Sequence, residues 1–282
     1  MKTKNKNISV RNLYIVTILS LVFIIPYGCK LDFPSGLKPG KNDDQIRRMN
    51  NNISLLYNLE FQRLYGIGQT ILQDQDIQHS LMSSSKSDIK KAINKYWVNI
   101  LRPHAIDSYS IYDSNLNLVA SSSKTSVPKE LLMDIKPVSH SRGRVISCNK
   151  TCEIYAAIPH VENNKIRGIL VLSVSLIDII RNLKLIYGPE YQFALVASSE
   201  QEPTETSIYI KAWKSEVIAA TSHKDTIPLL MHISNTLSLE DMLNKNHTVQ
   251  DENMNDVNIS ASFRISSVGY GSYIIAITKQ HN

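Results

Sequence analysis

The sequence predicts an α+β fold in which a long N-terminal helical segment precedes antiparallel sheet, and three observations predict it. The stretch Glu153–Leu176 reads as two long strands joined by a polar turn at Glu162-Asn163-Asn164-Lys165. Ahead of it, apolar residues recur at helical spacing between Ile46 and Ile100. Behind it the order of signals repeats: Glu216–Ser222 echoes Asn117–Ser122, and Tyr273–Ile277 closes the chain as Leu170–Val174 closes the earlier unit. Two copies of one α/β unit is the economical interpretation.

The hairpin itself has two unlike faces. Its first arm sets Ile154, Ala156 and Ile158 against Tyr155 and Ala157; its second sets Ile166, Leu170, Leu172, Val174 and Leu176 against Arg167, Ile169, Val171, Ser173 and Ser175. An apolar face and a mixed face suggest a sheet packed on a helix on one side, with a cavity or groove on the other. A half-buried hairpin that holds no ligand has the same pattern.

The first residues set the compartment. Basic residues from Lys2 to Arg11 precede the apolar run Leu13–Ile25, which ends at Pro26-Tyr27-Gly28-Cys29. Residues 1–29 are thus a signal peptide or an uncleaved membrane anchor, and either places the bulk of the chain outside the cytoplasm. Gly28-Cys29 resembles the end of a bacterial lipoprotein signal peptide, which implies lipidation of Cys29, although Pro26 and Tyr27 depart from that pattern. The other two cysteines, Cys148 and Cys152, flank a three-residue turn, and in an exported chain they can close as a disulfide across neighbouring strands.

Composition is that of ordinary globular protein: 282 residues, 43% hydrophobic, 20% charged. The net charge of +6 owes much to the leader, so no nucleic-acid partner is expected. Residues 30–42, with Pro34, Gly36, Pro39 and Gly40, read as a tether. A helical segment spans 43–105, turning near Ser83–Ser87, with Ser87 as the expected cap of its second helix. Then come the hairpin SIYDSNLNLVASS, a short helix over Val127–Ile135, a strand at Gly143–Ser147, the central hairpin, and a helix over Leu176–Tyr187 broken by Gly188-Pro189. In the second half, strands are expected at Tyr191–Val196 and Ser207–Trp213 and a helix over Pro228–Leu243.

A long helix, the hairpin SIYDSNLNLVASS, a loop and the meander YAAIPHVENNKIRGILVLSVSL together resemble a double Cache domain. Cache modules are PAS-like folds found in the sensor regions of bacterial chemoreceptors, histidine kinases and diguanylate cyclases. The resemblance covers about residues 43 to 280. It implies two antiparallel-sheet modules, 106–187 distal to the membrane and 188–282 proximal to it, each with a helix on one sheet face and a small-molecule pocket on the other. It also implies a periplasmic module anchored in the bacterial cell membrane, with the first module binding the ligand. The amino-acid-binding branch carries an aspartate five residues past the glycine of the last strand; counting from Gly168 gives Ser173, which cannot neutralise an ammonium. No signalling domain follows before Asn282, so the expected role is that of a binding module without its own output domain.

Within the first module, Tyr112, Arg144, Tyr155 and Ser173 are the candidate pocket lining. Arg144 would clamp a carboxylate, because a guanidinium offers paired donors matched to two oxygens, with Arg142 as a spare. A small organic acid is the ligand that this set suits. The competing reading makes the tyrosines sheet packing and Arg144 a surface residue, while Trp97 plugs the core between helix and sheet. No metal motif, nucleophile elbow or phosphate loop is present, so no cofactor, metal or enzymatic activity is expected. Expected partners are the membrane through the N-terminus, a second copy through the long helix, or a separate signalling protein. The alternative function is a structural or surface-interaction lipoprotein on a Cache-like scaffold without ligand.

Overall fold

The computed structural model describes residues 43–83, 85–123, 127–133, 135, 143–148, 151–198, 208–242, 247–250, 256–265 and 272–279. All fall in one of the chain's two units, Pro39–Asn282. Cys29, Arg142 and the apolar leader lie outside the described residues.

Helix α1 runs from Asp43 to Leu72, and its buried stripe of Met49, Ile53, Phe61, Leu64 and Ile71 follows from apolar residues spaced three, four, seven and eight apart. The chain then breaks where the sequence pattern continues. Asp74 Oδ1 accepts from the amides of Asp76 (2.8 Å) and Ile77 (3.3 Å), which starts a separate helix α2 at Gln75–Ser83. Helix α3, Lys86–Tyr96, is capped by Ser85 and not by Ser87, since it is the Ser85 Oγ that accepts from the Asp88 amide. A π-type turn, Trp97–Leu101, extends it.

Asp74 also holds α3 in place, because the Tyr96 hydroxyl donates to its Oδ2 at 2.6 Å. Burial alone would raise the Asp74 carboxyl, but hydrogen bonds from Tyr96, Ile77 and Asp76, with the charge of Lys95, outweigh it and hold the pKa below the ordinary value. A depressed carboxylate contributes stability that is present above the unfolded value of about 3.9 and is lost as pH falls through the folded one. Asp74→Ala is expected to cost about 2 kcal/mol at neutral pH, the sum of a cap and a charge-assisted hydrogen bond. Urea midpoints of variant and wild type should start to converge as pH falls below about 4 and meet only below the depressed folded pKa.

The first sheet has five antiparallel strands in the order β2-β1-β5-β4-β3: β1 Ser108–Asp113, β2 Leu118–Ser121, β3 Gly143–Cys148, β4 Cys152–Glu162 and β5 Lys165–Ser175. Helix α4, Lys129–Met133, lies between β2 and β3 in sequence. The β4–β5 turn has Asn163 and Asn164 both at positive φ (50° and 58°), the conformation of a two-residue hairpin turn that asparagine tolerates. Disulfide-bonded Cys148 and Cys152 are register partners of β3 and β4.

The register corrects one face assignment. Val161 pairs with Ile166 and His160 with Gly168, which leaves Arg167 as an extra residue in β5. Such a bulge reverses the alternation, so Ile166 packs with Ile169 and Val171 rather than with Leu170 and Leu172.

Helix α5, Ile177–Tyr187, ends at Gly188 (φ 93°) and leads to the second sheet, ordered β7-β8-β6-β11-β10-β9. Its strands are β6 Tyr191–Ser198, β7 Tyr209–Ile210, β8 Ser215–Ala220, β9 His247–Gln250, β10 Asp256–Ile265 and β11 Ser272–Lys279. The strand expected over Ser207–Trp213 is thus only two residues long, and a 3₁₀ turn follows it. Helix α6 spans His223–Ser234, starting before Pro228 because Ser222 caps it through the Asp225 amide. Leu229, Leu230 and Ile233 of α6 pack on Val196, Val217 and Ile275.

One core links both sheets. Ile111, Ile154, Ile158, Leu170 and Leu172 of the first and Phe193, Leu195 and Ile274 of the second belong to the same cluster as Met49, Ile53 and Leu64 of α1. Close approach of α1 depends on Gly68, where a Cβ would lie 2.7 Å from Ile158 Cδ1.

Candidate functional site

The face of the first sheet turned away from α1 carries three of the four candidate residues. Strand alternation dictates this: Tyr155 is the register partner of Ser173, Ser173 pairs across β1 with Ser108, and Tyr112 pairs with Ile169. Tyr112, Tyr155 and Ser173 are 8%, 5% and 1% exposed. Their cover comes from the segment around α4, where Val127, Leu131, Leu132 and Ile135 cluster with Tyr112, Tyr155, Ala157, Ile169 and Val171. Gly143 of β3 admits this cover, since a Cβ there would sit 2.9 Å from Leu131 Cδ1 and 3.2 Å from Leu131 O.

One end of the face is polar. Ser173 Oγ and Ser108 Oγ share a 2.6 Å hydrogen bond, and Ser110 Oγ lies 3.0 Å from Ser121 Oγ. Burial pushes the Tyr155 phenol well up, and the negative charge and accepted hydrogen bond of Glu153 push it further. Burial also raises Tyr112, against a hydrogen bond with Ser110. Both phenols are therefore neutral donors at physiological pH. Beside them, burial raises the Asp107 carboxyl; the amide hydrogen bond from Ser175 opposes that shift, while the charges of Glu153 and Asp178 add to it.

Arg144 does not join this group. It pairs with Ala156, one residue out of phase with Tyr155, so its side chain lies on the α1 side of β3. There Nη1 donates to Asn58 Oδ1 at 2.9 Å, and the guanidinium stands 5.7 Å from the ring centroids of both Tyr57 and Phe61. The carboxylate clamp expected from the sequence is corrected accordingly: Arg144 ties the sheet edge to α1. Arg144→Ala is expected to cost about 0.5–1 kcal/mol, the range for an exposed cation–π contact. The thermal response to any ligand of the opposite face should be unchanged by it.

Trp97 packs edge-on against Tyr109 at 5.3 Å, within the core between helices and sheet. Glu153, Ser108 and Asp107 are the polar residues that the candidate set omits. Glu153 shares the period-two parity of Tyr155, a signal present in the sequence; the pairing of Ser108 with Ser173 needs the β1–β5 register. Chemically, the face offers hydroxyl donors and acceptors and, at its polar end, the carboxylates of Glu153 and Asp107. Among the described residues no group of three or more His, Cys, Asp or Glu side chains could hold a metal ion. No described helix is long and apolar enough to cross a membrane.

No protein-family model and no curated protein matches the chain. Solved structures do. Two crystal structures of the periplasmic domain of Vibrio cholerae LuxQ, one with selenomethionine, align at TM-score 0.53 and 10% identity over 84% of this chain and 100% and 98% of theirs. The sensor domain of the V. cholerae histidine kinase DctB aligns at TM-score 0.48 and 12% identity over 85% of this chain and 98% of its own. At one-tenth identity the LuxQ likeness speaks for fold alone. A long N-terminal helix laid on antiparallel sheet, matched over the whole length of the LuxQ periplasmic domain, gives this chain the fold of that domain, an α+β arrangement in line with the Cache resemblance of the sequence.

Proposed function

We propose that the chain is a periplasmic Cache-type sensor module that binds a small polar molecule on the face of the first sheet opposite α1. In this reading 106–187 is the membrane-distal, ligand-binding module and 188–282 the membrane-proximal one. The N-terminus holds them at the membrane through a lipid on Cys29 or an uncleaved helix, and the chain acts as a binding protein, not an enzyme. The observation that carries the reading is the burial of two neutral phenols beneath the α4 segment, with paired serine hydroxyls buried at the end of the same face. A sheet face needed only for packing gains nothing from such groups, which cost free energy when desolvated unless each finds a partner.

A ligand with amine or hydroxyl groups suits the described lining better than a carboxylate, since Glu153 is there and Arg144 is not. Thermal-shift screening against amines, amino acids, polyols and organic acids tests this. Saturating ligand should raise Tm by several degrees, from roughly 2–4 kcal/mol of linkage. Tyr155→Phe and Ser173→Ala should weaken the response, and Arg144→Ala should leave it intact.

A second reading has an observation in its favour. Leu131, Leu132 and Ile135 are themselves buried on this face, and its serines pair with one another. That arrangement fits a structural or surface-interaction lipoprotein whose sheet face is filled by its own side chains. A panel without response, or a response unaltered in Tyr155→Phe and Ser173→Ala, would favour this second reading over the first.

A further inference from the structure

We propose that the exposed side of α3 is a docking face for an anionic lipid surface, a role separate from any ligand on the sheet. The charge of this protein is unevenly placed. Residues 43–282 contain 24 Lys and Arg against 24 Asp and Glu, so this part of the chain is neutral as a whole. Between positions 86 and 102, however, stand Lys86, Lys90, Lys91, Lys95 and Arg102 against the single acid Asp88. All five cations are exposed, and none forms an ion pair among the described residues. The remainder of 43–282 must then be net acidic, which makes this helix a distinct cationic ridge.

Helical geometry spreads Lys86, Lys90, Lys91 and Lys95 over about half the circumference and, with Arg102, along about 24 Å of axis. Ile89 and Ile93 occupy the other half and are buried in the core, so α3 cannot insert an apolar face and would act from the surface by charge. Exposed Asn94 and Val98 lie between the cations, with Val98 56% exposed.

The residue types favour lipid headgroups over other polyanions. Four of the five cations are lysines, hydrated point charges that suit phosphate without demanding bidentate geometry. Protein interfaces deplete lysine and enrich arginine. Binding of single-stranded nucleic acid would call for exposed rings on which bases stack, yet Tyr96 and Trp97 both pack toward the core. The Tyr96–Asp74 bond fixes the end of α3 beside the end of α1, a helix about 45 Å long. That distance exceeds the Debye length several times over, so the surface in question is one presented at the end of α1 opposite Asp43.

The test uses the full chain and vesicles of phosphatidylcholine with or without phosphatidylglycerol, in low and high sodium chloride. The wild-type partition ratio, anionic over neutral, should be large and should fall steeply with salt. Each lysine near an anionic surface contributes about fivefold. Replacing Lys86, Lys90, Lys91 and Lys95 by Gln should therefore reduce the ratio by at least about a hundredfold. Replacing the same four by Arg should preserve it, which separates charge from folding. The ratio removes apolar binding of the N-terminus, and the comparison of each variant with wild type cancels the preference for anionic lipid that Lys2, Lys4, Lys6 and Arg11 add. A glutamine variant that binds like wild type, an arginine variant that loses binding, or a wild-type preference for nucleic acid over anionic vesicles overturns the proposal.

Discussion

Phe193→Ala is expected to cost about 3–5 kcal/mol and to move the unfolding of both sheets together. Phe193 is fully buried, with its ring stacked on Tyr191 at 6.1 Å and tilted against Tyr187 at 5.9 Å. Tyr187 in turn accepts a hydrogen bond from Asn52 of α1 at 2.8 Å. The ring thus sits where α5 and the second sheet meet the helix that also covers the first sheet. Truncating it leaves a cavity in a core that both sheets share, and neither can relax to fill it alone. Calorimetry should show a single transition lowered by roughly 10 °C. The two tryptophans report the halves separately, since Trp97 lies against Tyr109 of the first sheet and Trp213 packs in the cluster under α6. Their fluorescence midpoints should shift together in single-tryptophan variants. If Trp213 moves and Trp97 does not, the shared core does not couple the sheets.

How much of this was legible in the chain depends on whether a signal was local or required register. The faces of the central hairpin follow from period two, so Tyr155 and Ser173 could be placed together from residues alone. Arg144 shows where that reasoning stopped short. Once Cys148 is opposite Cys152, antiparallel counting puts Arg144 opposite Ala156, on the helix side. The sequence therefore contained the correction, conditional on the disulfide. Ile166 is different, because the bulge at Arg167 adds a residue that no pattern announces. The break at Asp74 was masked by Ile71 and Ile77, which keep an apolar stripe running past it, although an aspartate just ahead of a helical turn is a capping signal. The cover of the sheet face had the weakest signal. Leu131 and Leu132 look like any short apolar pair until Gly143 is seen beneath them.

Ser173→Asp would place a carboxylate at the position where the Cache resemblance implies one in the amino-acid-binding branch, and it is expected to destabilise this protein. Ser173 is 1% exposed, its hydroxyl is engaged by Ser108, and Glu153 and Asp107 already make this end of the sheet acidic. No described lysine or arginine stands among the strand residues beside it to compensate a new charge. A buried, unpaired carboxylate costs about 3–5 kcal/mol. Burial and the neighbouring negative charges raise the folded pKa of such a group above its unfolded value of about 3.9. The sign follows from that: below about pH 4 the group is neutral in both states and the penalty is absent. As pH rises the unfolded state ionises first, so the penalty grows until the folded pKa is passed and then stays constant. Urea midpoints of variant and wild type should be close at pH 4 and widely separated at pH 7. An ammonium-bearing molecule that reaches the face would pair with the new carboxylate and restore stability at pH 7, whereas a simple carboxylic acid would not. A variant as stable as wild type at pH 7 would mean that a cation already reaches this end of the sheet, and the preference for amine or hydroxyl ligands would then fall.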